Sequence, residues 1–337
     1  MVLEISKGIE PGNLKITVLV SNTTSRTLAT DDRFKGSVIQ PESKYHRLLG
    51  EHGLAISIKF IEKGINHHIL LDTGGLMNTI IKNSKNLEIS LSDVEKVILS
   101  HGHYDHFGGL EKVIPEIRKK AEIYLNPICY EQNHVIISTT GEEISAEELT
   151  LSLNTMQKEG KLRRNSKLPL LNKVMIKKLA NEHKIKIIET NKPEILHNGV
   201  VTSGEIEIFN NDEVTKGFYL TQKNNRFSKH TFRDETSLYI NIKNRGLVIL
   251  TGCAHTGLIN TIKHGQKLTG INQVYAIIGG FHKERESYEK IEEVVTYLEN
   301  LNPKITCGMH CTGFNFNKEM HRHSSHTLGI VGTEFNL

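Results

Sequence analysis

Residues 100–109 read Ser-His-Gly-His-Tyr-Asp-His-Phe-Gly-Gly, and this stretch decides the fold. It places four side chains that can bind metal within six positions, namely His101, His103, Asp105 and His106. Imidazole and carboxylate ligands suit zinc, iron or manganese. With this spacing, two histidines can face one cation while Asp105 and His106 reach a second. A surface histidine cluster is the alternative, but the preceding apolar strand and the following glycine pair favour a built site.

Several predicted strands end in residues that can bind metal. Near-continuous apolar runs, typical of strands buried on both faces, occur at residues 97–99, 247–250 and 274–278. Shorter runs occur at 68–71 and 304–307. Because ligands gather at the carboxyl ends of strands in α/β sheets, the side chains that follow these runs should meet at one site. The side chains concerned are Asp72, His101, Cys253, His255, His282 and His310.

Helical stretches alternate with the strands, which predicts a layered α/β fold. In residues 287–302, Ile291, Val294, Val295 and Leu298 form one apolar stripe of an amphipathic helix. This alternation extends along the chain, so we expect a single domain over residues 1–337.

Residues 130–200 are predicted to form a helical insertion within that domain. Ser145-Ala-Glu-Glu148 is a capping box that opens one helix, and a second is expected from Asn172 to His183. A basic stretch lies between them, made of Lys158, Lys161, Arg163, Arg164 and Lys167. Residues 23–53 form a long, aperiodic loop of the kind that is usually functional or mobile.

Composition narrows the class of protein. The 337 residues carry 42 basic and 38 acidic side chains, and the net charge of +4 is too small to argue for nucleic acid. No apolar run approaches the length of a membrane span, and the amino terminus lacks a secretory pattern. The four cysteines are scattered and do not indicate a disulfide framework. We therefore expect a cytoplasmic protein that has no membrane partner.

The segment at residues 101–106 resembles the His-x-His-x-Asp-His signature of the metallo-β-lactamase superfamily. Asp72, in Leu-Leu-Asp-Thr-Gly, resembles that superfamily's earlier structural aspartate. Within the superfamily, the chain looks like the subgroup of the archaeal dihydropterin ribofuranosylaminobenzene-phosphate synthase and its bacterial metal-dependent hydrolase relatives. The stretches that carry this likeness are Glu51–Leu54, Ser100–Leu110, Thr251–Gly257, Gly279–His282 and His310–Gly313.

The resemblance implies an αββα four-layer sandwich with one or two divalent metal ions, zinc first and manganese or iron as alternatives. It implies that the first metal is held by His101, His103 and His255, and the second by Asp105, His106 and His310. The chain departs from the family pattern at the bridging position. Many members have an aspartate there, whereas this chain has Cys253, and no aspartate follows Asp234. Cys253 could bridge the metals, bind one of them, or be a buried core residue.

Other residues are candidates for contact with substrate. His282 follows a Gly-Gly pair and could hydrogen-bond a phosphate or donate a proton, or it could be structural. Glu51 and His52 lie on the long loop and could bind substrate, or be solvated. Asp105 could orient the attacking water or accept its proton. The remaining candidates are assigned to the surface, and they are His321, His323 and His326.

A cation bound by neutral imidazoles lowers the pKa of its water to about 7. The expected function is therefore that of a metal-dependent hydrolase acting on a small anionic substrate, foremost a phosphoester. The resemblance adds a transferase that joins a dihydropterin pyrophosphate to an arylamine ribose phosphate. A nucleic-acid-processing or nucleic-acid-binding protein ranks last, because Trp is absent and no aromatic residues interleave the basic stretch. The sequence leaves the oligomeric state open.

Overall fold

A computed structural model describes residues 2–5, 7–41, 47–222 and 226–337. Within these ranges the chain forms three β-sheets, of eight, six and four strands. None of the helices in the described ranges is long and apolar enough to cross a bilayer.

The eight-stranded sheet contains most of the strands that precede residue 190. Its strands in spatial order are β2 (Val38–Ile39), β18 (Glu334–Asn336), β1 (Leu14–Val20), β3 (Ala55–Glu62), β4 (Ile65–Leu71), β5 (Lys96–Ile98), β6 (Glu122–Leu125) and β9 (Lys186–Glu189). β1, β3 and β4 pair in antiparallel fashion, whereas β4, β5, β6 and β9 run parallel. The carboxyl ends of β4 and β5 therefore lie side by side at one edge.

The six-stranded sheet faces the first sheet. Its strands in spatial order are β10 (Ile195–His197), β11 (Val200–Thr202), β14 (Leu238–Ile242), β15 (Gly246–Thr251), β16 (Val274–Gly280) and β17 (Ile305–Met309). The last three strands are parallel, so their carboxyl ends also share one edge.

Three apolar clusters join the layers. Residues of both sheets, such as Ile58 and Ile278, meet in one fully buried core between them. A second core joins the eight-stranded sheet to the helices α1 (Thr79–Asn86), α2 (Tyr104–Phe107), α3 (Leu110–Val113) and α5 (Lys173–Glu182). A third joins the other sheet to α6 (Leu258–Thr269), α7 (Tyr288–Leu301) and α8 (Phe314–Met320). The predicted αββα sandwich is confirmed.

The predicted helices form where their sequence signals place them. Ser287 caps α7 by accepting a hydrogen bond from the Lys290 amide, and the predicted stripe of α7 is buried. Asn172 caps α5 in the same way, with its side chain accepting from the Met175 amide. These caps satisfy amide groups that have no partner within the helix.

The prediction that residues 130–200 are a helical insertion needs correction. The segment contains α5 and α4 (Ala146–Lys158), which Ser145 caps as expected, but it also contains strands. Two strands of the four-stranded sheet lie here, β7 (Gln132–Ser138) and β8 (Leu162–Lys167), and the strands of that sheet in order are β13 (Phe227–Lys229), β12 (Phe218–Thr221), β7 and β8. β9 joins the main sheet instead. Polar β8 has few apolar residues to indicate a strand, and its pairing with β7 sets its conformation.

One of the histidines assigned to the surface lies inside the protein. His326 is buried, and its Nε2 atom lies 3.1 Å from Asn317 Oδ1. Burial lowers the pKa of His326 to about 4. His321 is exposed, as expected, and His323 is partly exposed. The surface prediction is therefore wrong for His326.

Candidate metal centre

The carboxyl ends of strands from both facing sheets converge on one site. Asp72 directly follows β4, and His101 lies three residues beyond β5. In the second sheet, Cys253 and His255 follow β15, while His282 and His310 follow β16 and β17. The convergence expected from the strand-end pattern is thus present in the structure.

The first group of candidate ligands consists of His101, His103 and His255. Each offers one ring nitrogen, and these atoms lie within 4.8 Å of one another. Burial lowers the pKa of all three rings, and that of His103 falls to about 3. The rings are therefore neutral, which is the protonation state that binds metal.

The second group surrounds the carboxylate of Asp105. Its Oδ2 atom lies 3.2 Å from His310 Nε2, 3.2 Å from His52 Nε2 and 3.9 Å from His106 Nε2. Although burial favours the protonated carboxyl, the charge of His106 and contacts with His310 and His52 hold the pKa of Asp105 well below its usual value. The three residues assigned to a second metal lie together, and His52 joins them.

The hydrogen bonding of the ring nitrogens shows whether the site fits a bound cation. The Nε2 atoms of His101, His103 and His255 are buried and have no hydrogen-bond partner within the described part of the chain. An unpaired buried polar atom is costly, and native proteins satisfy nearly all such groups. Three of them, whose ligand atoms lie within 4.8 Å of one another, fit a divalent metal ion held by imidazole nitrogens.

Hydrogen bonds on the far side of the rings fix their orientation. Nδ1 of His101 lies 2.9 Å from Ser100 Oγ, and that hydroxyl donates to Asp72 Oδ2 at 2.7 Å. The same Asp72 oxygen lies 2.6 Å from His106 Nδ1. Ligating histidines characteristically donate their second N–H in this way. The predicted structural aspartate therefore supports rings from both halves of the site.

Cys253 lies on the floor of the site beside a second thiol. Its Sγ atom is 3.1 Å from His106 Nε2 and 3.2 Å from Cys311 Sγ, and both cysteines are free. Burial raises the pKa of the Cys253 thiol well above its usual value. Cys253 also belongs to a group with His101 and His106 whose ligand atoms lie within 4.8 Å. This position suits either a bridging or a ligating role.

The backbone around the site adopts a rare conformation. Asp72, Ala254, His282 and His310 have φ between 45° and 61°, in the left-handed region that non-glycine residues seldom occupy. Each of these residues follows one of the converging strands. Such strain costs about 1–3 kcal/mol per residue and clusters at functional sites.

Glycines allow the close packing that places the ligands. A Cβ atom on Gly109 would overlap the carbonyl oxygen of Thr73, and one on Gly252 would overlap the Ser100 hydroxyl. The helices after the histidine motif can therefore start against the turn that follows β4, as the Gly-Gly pair predicts.

Sequence reasoning missed several residues that hold the site in place. Asp234 Oδ2 accepts from the Gly102 amide at 2.8 Å, and Glu235 accepts from the amides of His255 and Thr256 at 2.6 and 2.7 Å. Burial raises the pKa of Glu235 to about 7. Neither residue belongs to a local motif, so no signal distinguished them from surface acids.

Polar side chains from distant segments also touch the ligand rings. Asn22 Oδ1 lies 2.9 Å from His310 Nδ1, so Nε2 of that ring is turned toward Asp105. Thr215 Oγ1 lies 3.4 Å from His255 Nδ1 and 3.3 Å from His282 Nδ1.

A cavity of about 400 Å³ opens above these residues. His52, Asp105, Cys253, His255, His282 and His310 are among the side chains that line it. Glu51 is not among them, because its Oε1 atom accepts a hydrogen bond from the Met77 amide at 2.8 Å. The structure therefore brings His52 and His282 to the cavity and turns Glu51 toward the neighbouring loop.

Comparison with known proteins identifies the family. The family model described as the metallo-β-lactamase superfamily matches residues 54–142. The 7,8-dihydropterin-6-methyl-4-(β-D-ribofuranosyl)-aminobenzene-5'-phosphate synthase of Methanocaldococcus jannaschii is 34% identical over 268 residues, which cover 78% of this chain and 82% of that protein. This chain therefore belongs to the metallo-β-lactamase superfamily.

Two further proteins are similar to this chain. An uncharacterised protein of the same organism is 25% identical over 295 residues, covering 88% of this chain and 97% of that one. Among solved structures, Tm1679, described as a metal-dependent hydrolase of the β-lactamase superfamily, superposes with a TM-score of 0.66 at 19% identity. That superposition covers 96% of this chain and 99% of the other, and it shows the shared fold.

Proposed function

We propose that this protein is a metal-dependent hydrolase that acts on a small anionic substrate, with a phosphoester as the preferred class. The proposal rests on one observation, which is that two features occur in the same cavity. Ring nitrogens of His103 and His255 that have no hydrogen-bond partner among the described residues lie at its floor, and cationic side chains line its wall. The cavity volume of about 400 Å³ suits a small molecule.

The charge of the cavity wall favours an anionic substrate. Five cations line the wall, and they are Arg163, Arg164, Lys216, Arg285 and Lys290. Four glutamates also lie there, but Glu143 pairs with Lys229 at 2.8 Å and Glu286 with Lys290 at 3.3 Å. Among the described residues, the three arginines form no ion pair within 4.0 Å. Guanidinium groups bind phosphate oxygens in bidentate fashion, so they suit this role.

A divalent cation held at this site would polarise a substrate oxygen and lower the pKa of a water molecule. The residues of the chain would do the rest. Asp105 is ionised, so its Oδ2 atom can accept a hydrogen bond from the attacking water and orient it. His52 lies at the exposed rim, and its contact with Asp105 raises its pKa, which favours the form that donates to an anion. His282, on the wall, can hydrogen-bond a substrate oxygen.

A transferase is the second candidate function. It is favoured by one observation, namely that the relative with 34% identity is named as a synthase of a phosphorylated dihydropterin product. In this reading the same cavity would admit a dihydropterin pyrophosphate and an arylamine ribose phosphate. Turnover that requires the arylamine distinguishes this function from hydrolysis.

The test uses the full chain reconstituted with Zn²⁺, and separately with Mn²⁺ or Fe²⁺. The substrate panel contains phosphomonoesters, phosphodiesters, lactones and a dihydropterin pyrophosphate, the last with and without an arylamine acceptor. We expect hydrolysis of at least one phosphoester, and its loss in His103→Ala and Asp105→Ala. His321→Ala, at an exposed position outside the site, is the matched control and should keep full activity. Full activity in either site variant would contradict the proposal.

A further inference from the structure

A second group of histidines and glutamates lies at the opposite end of β4 from the candidate metal centre. We call it the inter-sheet cluster, and its members are Glu62, His67, Glu95 and His197. Glu62 ends β3, His67 lies near the start of β4, and Glu95 directly precedes β5. His197 comes from the other sheet, where it ends β10. At about 3.3 Å per residue, His67 and Asp72 are roughly 16 Å apart, so the two sites are separate.

The carboxylate of Glu95 orients both histidine rings. His67 Nδ1 and His197 Nε2 each lie 2.8 Å from Glu95 Oε1. His67 Nδ1 has the geometry to donate to this carboxylate, whereas His197 Nε2 is close to it but forms no hydrogen bond. A neutral His67 ring that donates through Nδ1 keeps the lone pair of its Nε2 atom.

Glu62 completes a set of three ligand atoms. One atom from each of Glu62, His67 and His197 lies within 4.8 Å of the other two. Glu62 Oε2 is 3.8 Å from His197 Nδ1, which is too far for a hydrogen bond. The other carboxylate oxygen of Glu62 contacts the side-chain amide of Asn198. The carboxylate and the ring thus face each other with no shared proton between them.

We propose that the inter-sheet cluster is a second metal site, which binds Zn²⁺ or a similar transition-metal ion through Glu62, His67 and His197. Glu95 would act as the carboxylate that holds the ligating rings in place. The four side chains are only 13–18% exposed. The guanidinium of Arg118 lies 3.6 Å from Glu95 Oε2, while no lysine or arginine of the described residues lies within 4.0 Å of the Glu62 carboxylate, so a divalent cation would balance the charge of Glu62.

The position of the cluster indicates a structural role for the metal. Its ligands come from both facing sheets, so a bound ion would link them at the edge away from the catalytic site. Phe60, part of the core between the sheets, packs against His67 at 5.1 Å and His197 at 5.2 Å between ring centroids. The rings are thereby held in place before metal binds. An ion that binds only the native state stabilises it by an amount that rises with the logarithm of the ion concentration once this exceeds Kd.

The experiment measures Zn²⁺ binding to the chelator-treated full chain by titration calorimetry, with elemental analysis after dialysis. We expect His67→Gln and His197→Gln to bind one Zn²⁺ fewer per chain than the wild type and to lose part of the Zn²⁺-dependent rise in Tm. Glu95→Gln should weaken this site roughly 10–100-fold. Exposed His321→Gln is the matched control and should bind as the wild type does.

Unchanged zinc stoichiometry in both histidine variants would overturn the proposal and leave the cluster as an ion-pair network. If His67→Gln does not fold, Glu62→Gln replaces it and should lose the same equivalent of zinc. This inference is independent of the proposed function. His103→Ala should keep the inter-sheet zinc, whereas His67→Gln should keep hydrolytic activity, so failure of one proposal is distinguishable from failure of the other.

Discussion

Asp72 Oδ2 lies 2.6 Å from Nδ1 of His106, and both side chains are fully buried. The same oxygen accepts from the Ser100 hydroxyl, which in turn contacts His101. Although burial disfavours the charged ring, the carboxylates of Asp72 and Asp105 raise the pKa of His106 to about 9. A cation bound at Nε2 would take the place of that proton. Asp72 therefore positions candidate ligand histidines on both sides of the site.

Replacement of this aspartate should weaken metal binding without removing a ligand. Asp72→Asn replaces a carboxylate oxygen with a neutral amide, so His106 loses its charged partner. We expect metal affinity to fall roughly 10–100-fold, as for other residues that orient metal ligands. Competition with a chromogenic chelator measures the change. Exposed Asp32→Asn is the control, and equal affinity in the two variants would contradict the orienting role.

Substitution of Cys253 tests whether a thiol replaces the usual bridging aspartate. Its Sγ atom lies 3.1 Å from His106 Nε2, so we expect Cys253→Ser to lower the metal content per chain. Cys307→Ser removes another buried thiol, within β17, and controls for packing. Elemental analysis of both variants is the measurement. Wild-type metal content in Cys253→Ser would assign this cysteine to packing.

Two basic residues of strand β8 form a matched pair that tests whether the substrate is anionic. Arg164 lines the cavity, whereas Lys167 on the same strand does not. Loss of one charged contact with bound substrate should cost about 1.4 kcal/mol, or tenfold in affinity. Arg164→Ala should therefore raise KM about tenfold with little change in kcat, while Lys167→Ala changes neither. An unchanged KM in Arg164→Ala would remove this arginine from substrate binding.

Buried His326, which lies far from the metal centre, should make the free energy of unfolding depend on pH. Burial lowers its pKa from 6.5 to about 4, so the unfolded chain binds more protons between these values. The stabilisation that the neutral His326 ring contributes is then fully present above pH 6.5. As the pH drops toward 4, the free energy of unfolding falls by roughly 2–3 kcal/mol. Urea unfolding across this range should show a shallower pH dependence in His326→Gln. His183→Gln, at a partly exposed ring, should keep the wild-type slope, and an identical slope in all three proteins would contradict the prediction.

The fold could be predicted where local patterns carry the information. Apolar runs such as 247–250 and 274–278 gave strands β15 and β16 because burial on both faces selects such sequences. The capping box at Ser145 and the apolar stripe within residues 287–302 predicted helices for the same local reason. Strand β8, Leu-Arg-Arg-Asn-Ser-Lys, has one apolar residue, so its structure depends on pairing with β7 and was not predictable from its own sequence.

The candidate ligands were predictable because each follows a strand, whereas their supports were not. Asn22 reaches His310 across 288 positions, and Asp234 reaches Gly102 across 132. Contacts of this range depend on the folded sheets and leave no spacing in the sequence. The left-handed backbone of His282 and His310 also has no sequence signal, because neither position carries glycine, the residue that most often marks this conformation.

The most direct test of the account is a crystal structure of the Zn²⁺-reconstituted protein, with anomalous data collected at the zinc edge. We predict an anomalous peak about 2.0–2.1 Å from a ring nitrogen of each of His101, His103 and His255. A protein that stays free of metal after reconstitution would contradict the account. So would a structure in which these three histidines are too far apart to share one ion.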